Sequence, residues 1–267
     1  MPISPSIGYF CQANQNTSME PFIKYLLHLA DCPLILGQRL GEWCGHGPVL
    51  EQDIALTNIS LDLIGQSRLI YQHVASLPGQ NTNEDALAML RYEHEYYNFL
   101  LVEQPNENFG HTIVRQFFYD AFNLHQYDLL TSHPDETLKS IAIKTMKEIK
   151  YHYRYSSEWM LRLGDGTQIS HDYVQNAVDE LWKYTGELFR LSSYETTLLN
   201  DHKAIDVASI QPAWNDKISN IFQQAGLNIP KEEVFLYGGK EGKHSEHMGY
   251  ILTELQYMQR TYPSMKW

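Results

Sequence analysis

From Glu20 onward, apolar residues recur three and four positions apart, the spacing that places them on one face of an α-helix. Strand-type alternation is nowhere sustained, and turn residues cut the helical pattern into long pieces. The first helix is predicted from Glu20 to Cys44, with Ser18 as its N-cap. Pro33 should kink it, because proline removes a hydrogen bond and crowds the preceding turn. Gly47-Pro48 opens a second helix that stops at Pro78-Gly79. Asn83 caps a third, closed by Pro105, with Glu84 and Asp85 against the positive end of its dipole. A fourth covers Gly110 to Ser132. Asp135 caps a fifth that runs to Leu163, and Ser170 starts a sixth through Arg190. After an irregular stretch come a short helix from Pro212 to Ala225 and a last one from His244 to Thr261. Residues 1–18 lack periodicity and read as a mobile arm, and 19–267 read as a single helical domain. The prediction is an all-α bundle of long helices with extra C-terminal helices, the longer ones reaching roughly 30–40 Å.

Composition narrows the class. The chain has 267 residues, 43% hydrophobic and 19% charged, enough to bury a sizeable core. Its net charge of −12 argues against nucleic acid as a partner, since phosphate binding needs surplus Lys and Arg. Cys11, Cys32 and Cys44 form neither a disulfide framework nor a zinc-type CxxC pair. Met1 to Met19 has no basic start or apolar stretch of a signal peptide, and no apolar run is long enough to span a bilayer. A cytoplasmic protein with no membrane partner is expected.

Long-helix bundles often hold metal in their cores. The di-iron version needs a Glu from each of two helices and a Glu-x-x-His pair from each of two others. Positions i and i+3 share a helix face, so both side chains can reach one metal pair. The second helix carries an inward track of Leu56, Leu63, Ile70 and Leu77, with companions Ile59, Gln66 and His73. Its central pair is therefore Leu63 and Gln66. Leucine has no donor atom, and a neutral amide is a poor substitute for imidazole. Asp62 should point about 100° away from the track. In the fifth helix His152 sits at a ligand position, but Ile149 stands where the Glu should be. Glu148 and His152, four residues apart, could pair with each other instead. Asp120 is the one carboxylate on the inward stripe of the fourth helix. One His and one Asp do not hold two irons.

Four blocks carry a resemblance. They are LGQRLGEWCGHGPVLEQDIALTNISLDLIGQSR (residues 36–68), LLVEQPNENF (100–109), KEIKYHYRYSSEW (147–159) and GGKEGKHSEHMGYILTELQYMQR (238–260). The chain resembles the C-subunit family of bacterial phenylacetyl-CoA 1,2-epoxidases, essentially throughout after the arm. The resemblance implies a ferritin-like fold and a place in phenylacetate catabolism. It also implies an inert partner to the iron-bearing oxygenase, the A-subunit, within a multicomponent monooxygenase. In that family the A-subunit carries an Asp-Glu-x-Gly-His block, whereas this chain has Asp62-Leu63-Ile64-Gly65-Gln66. The first-helix ligand would fall near Pro33 or Leu34, which cannot ligate either. No cofactor is expected on this chain, with the di-iron pair held by the oxygenase, and the chain alone should either form a homo-oligomer or be poorly soluble. Two other readings stay open: a di-iron enzyme with unusual ligands, and a bundle binding a small molecule around Asp120, Gln66 and His152.

Three further motifs have bland alternatives. Glu42-Trp43-Cys44-Gly45-His46 has metal-like residues but lies at a helix end, with Trp43 a natural packing anchor. His244 and His247 share a helix face and read as a surface pair. Gly238 to His244 lacks the length and the preceding strand of a phosphate-binding P-loop. Even so, Lys240 and Lys243 at a helix start could contact an anion such as a coenzyme A phosphate.

Overall fold

A computed structural model describes residues 8–231, 234–263 and 265, with side chains described from Met19 onward. Four long helices make the bundle: α1 (Gly8–Gly41), α2 (Leu50–Ser76), α5 (Phe109–Leu130) and α6 (Glu136–Gly164). Between the second and third of these lie the short helices α3 (Glu84–Met89) and α4 (Leu100–Glu103). The helices α7 (Gln168–Leu181), α8 (Ser193–Leu199), α9 (Gln211–Ala225) and α10 (Glu246–Thr261) follow. Short loops make α1–α2 and α5–α6 antiparallel hairpins, and residues 77–108 cross from one to the other. Two hairpins joined by one long crossover are the topology of the ferritin-like bundle. No strand occurs among the described residues. No helix among them is long and apolar enough to cross a membrane.

The apolar stripes of the sequence become the core. Leu56, Ile59, Leu63 and Ile70 of α2 are fully buried, as are Ile113, Phe117, Phe118 and Phe122 of α5 and Leu138 and Ala142 of α6. A Cβ on Gly37 would come within 3.1–3.4 Å of Ile64, Ser60 and Leu63, so α1 and α2 pack closely there. Ser60 Oγ donates to the Gly37 carbonyl at 2.7 Å across the same contact. In the second layer, α7 packs on α5 and α6, α9 on α6 and α5, and α8 and α10 on α1.

The elements depart from expectation in four places. The first helix begins at Gly8, inside the segment read as an arm, because no Gly or Pro interrupts residues 9–20; residues 1–7 lie outside the described residues. It passes Pro21 and Pro33 as one helix. The third predicted helix is in fact α3, a 3-10 turn at Glu93–Glu95, and α4. Here the chain leaves the helical path to reach Asp31 of α1. Arg91 Nη1 lies 3.1 Å from Asp31 Oδ2, and the Tyr97 amide donates to the same oxygen at 2.8 Å. Finally, the sixth helix is capped by Thr167 rather than Ser170 and tightens into a 3-10 helix over Trp182–Phe189. The Phe235 ring lies against Gly186 in that turn, 2.6 Å from where a Cβ would stand.

Candidate functional site

The residues of α2, α5 and α6 at the positions expected for a di-iron centre come together in one buried layer. Leu63, Gln66, Asp120, Ile149 and His152 are all at most 1% exposed. Leu63 and Ile149 bring only methyl groups to it. His152 Nε2 lies 3.1 Å from Asp62 Oδ2, so Asp62 reaches the layer although its helix phase pointed it aside. The expected Glu148–His152 pair does not form. Instead Gln66 Nε2 donates to Glu148 Oε2 at 3.0 Å, a second tie between α2 and α6. Asp120 accepts from Gln116 Nε2 and from Ser156 Oγ, each at 2.7 Å, which links α5 to α6. Burial pushes the Asp120 carboxyl up to about 6, against the opposing pull of His152, Ser156 and Gln116.

This donor set does not fit a di-iron pair. Two of the ligand positions are aliphatic, both Asp120 oxygens already accept hydrogen bonds, and His152 Nε2 is committed to Asp62. Among the described residues no three His, Cys, Asp or Glu side chains converge as a metal ligand set. A groove of about 370 Å³ between α2 and α6 is lined by Asp62, Gln66 and Glu148, while Asp120 and His152 lie outside that lining.

The other sequence motifs resolve into structure. Trp43 Nε1 donates to Thr112 Oγ1 at 3.0 Å and its ring meets Phe109 edge-on, an anchor between α1 and α5. Glu42 is held by Arg39 and Asn106, and Cys44 is exposed. The expectation for His244 is corrected, because its side chain is fully buried. Nδ1 lies 2.6 Å from Glu103 Oε1, and Nε2 is 2.9 Å from the Tyr96 carbonyl. Burial lowers the His244 pKa, but the Glu103 hydrogen bond and charge outweigh it, so the net shift is upward. Glu103 Oε2 also accepts from Ser245 N and Oγ, at 2.8 and 2.6 Å, just before α10.

Lys240 requires the same correction. It is 3% exposed and its ammonium pairs with the buried Glu195 carboxylate and the Arg190 carbonyl. The backbone N–H groups of Gly238 and Lys240 are taken by Glu187 Oε1. The loop does bind an anion, but the anion is the chain's own Glu187. Lys243 remains exposed, on the rim of a cavity of about 420 Å³ that also holds Arg190, Glu187 and Glu241.

Sequence reasoning passed over Asp31, Glu103, Glu187 and Glu195, all buried acids that tie the crossover and the C-terminal layer to the bundle. Asp31 had a readable signal, since it lies four residues after Leu27 and three before Leu34 on an inward track. Glu195 had one too, as the last residue of a Ser192-x-x-Glu195 capping box, whereas Glu103 and Glu187 had none, because their partners lie far along the chain or sit in loops.

Over residues 11–267 the sequence matches the family described as phenylacetic acid catabolic protein, the PaaA and PaaC chains. It is 43% identical over 249 residues to the C-subunit of the 1,2-phenylacetyl-CoA epoxidase of Escherichia coli (strain K12). That alignment covers 93% of this chain and 100% of the relative. Bundle topology and sequence agree: the chain belongs to the phenylacetic acid catabolic protein family.

Proposed function

We propose that this chain is a non-catalytic, cytosolic subunit of a phenylacetyl-CoA 1,2-epoxidase, supporting the iron-bearing oxygenase by packing against it. The observation that carries the reading is the layer around Leu63 and Ile149. Two positions at which a di-iron bundle would carry donors hold hydrocarbon, and the polar groups beside them are spent on one another, His152 on Asp62 and Ser156 on Asp120. A permanent interface between two such bundles should bury on the order of 2,000 Å² or more. Long helix faces supply that area without any chemistry of their own.

Elemental analysis tests the metal side of this reading. The chain, purified aerobically from iron-supplemented cells, should contain no stoichiometric iron, manganese or zinc. Close to two irons per chain would favour the alternative, an oxygenase with unusual ligands.

A further inference from the structure

In a chain of net charge −12, α6 is a basic element. It carries Lys139, Lys144, Lys147, Lys150, Arg154 and Arg162, against Glu136, Glu148 and Glu158. Lys139 pairs with Glu136, and both arginines share Glu158. Lys144, Lys147 and Lys150 are exposed and make no ion pair among the described residues. For Lys144 the reason lies in the tie between α2 and α6. Glu148 is four residues from Lys144 and would be its natural helix partner. Its carboxylate instead receives Gln66 Nε2 at 3.0 Å. Interleaved with the lysines are Ile143, 56% exposed, and Tyr151, 38% exposed.

We propose that this outer face of α6 docks an acidic face of the partner oxygenase, Ile143 and Tyr151 forming the apolar centre and Lys144, Lys147 and Lys150 the charged rim. The proposal rests on the reading of the chain as a supporting subunit. Charge complementarity selects the partner's chemistry. Three uncompensated ammonium groups on adjacent turns repel one another until carboxylates approach, and apolar residues among them mark a protein contact better than an ion site. Nucleic acid fits poorly, since the remaining surface of an acidic chain would repel it.

The test is the affinity of the full chain for the purified oxygenase, measured at several salt concentrations. The wild type is compared with a triple variant, K144E/K147E/K150E, and with Ile143→Ser. All three positions of the triple variant are exposed, so circular dichroism and thermal melting should match the wild type. The triple variant should bind about tenfold or more weakly, with a flatter salt dependence, and Ile143→Ser should bind more weakly at every salt concentration. Unchanged affinity and salt dependence in both variants, beside a firm wild-type complex, would overturn the docking face and leave the supporting role standing. No wild-type complex under any condition would overturn both. Binding of the wild type to vesicles containing phosphatidylserine, abolished by the triple variant while oxygenase affinity is unchanged, would assign the lysines to a membrane instead.

Discussion

Asp120 has its site in the sequence but not its state. Its place on the inward stripe of α5 was legible from Phe117 and Leu124, and its burial followed. The hydrogen bonds to Gln116 and Ser156 were not, because the second depends on how α6 docks. The raised pKa has a stability consequence with a definite sign. The carboxyl holds its proton up to about 6 in the folded chain and loses it near 4 when unfolded. Between those values the native state binds more protons, so this group's contribution to stability falls as pH rises from about 4 to about 6 and stays low above. A two-unit shift corresponds to at most about 3 kcal/mol. Asp120→Asn removes the charge at nearly constant shape. Urea unfolding should find the variant more stable than the parent at pH 7–8, by about 1–3 kcal/mol, with the advantage shrinking toward pH 4. A loss of stability that grows as pH rises above about 4 would show that the carboxylate is held by its hydrogen bonds more strongly than burial opposes it.

The long helices were readable as elements because each carries a one-sided apolar track, and α5 and α6, like the short α3, start at a side-chain cap. Asn83, Asn108 and Asp135 each accept from the backbone amide three residues on. The crossover was not readable, since its course is set by Asp31 and Arg91, partners 60 residues apart that no local pattern connects. Close approaches between helices were equally hidden. Gly164 ends α6 against the end of α9, and a Cβ there would meet the Ala225 Cβ at 2.7 Å and its carbonyl oxygen at 2.8 Å. The obstacle is partly backbone, so no side-chain rotation relieves it. Gly164→Ala should lower the unfolding free energy by about 1–3 kcal/mol through overpacking, despite alanine's better helix propensity. Thermal denaturation of the variant checks this, and an unchanged or higher midpoint would mean that α9 yields easily.

At the scale of the molecule, the two-hairpin bundle rests on four long helical tracks visible in the chain, while the connection between the hairpins read as a further helix. The layer at its centre was legible as inward positions at Leu63, Gln66 and Ile149, all of them buried. The Asp62–His152 and Gln66–Glu148 ties were not, since they depend on the packing of α2 on α6. These ties join α2 to α6 directly. Reconstitution tests this account most directly: epoxidation of phenylacetyl-CoA by the purified oxygenase with its reductase, in the presence and absence of this chain. The account predicts that omission depresses the oxygenase's solubility or activity, restored on adding the chain, and that the chain alone forms no epoxide. Full epoxidase activity in its absence would contradict it.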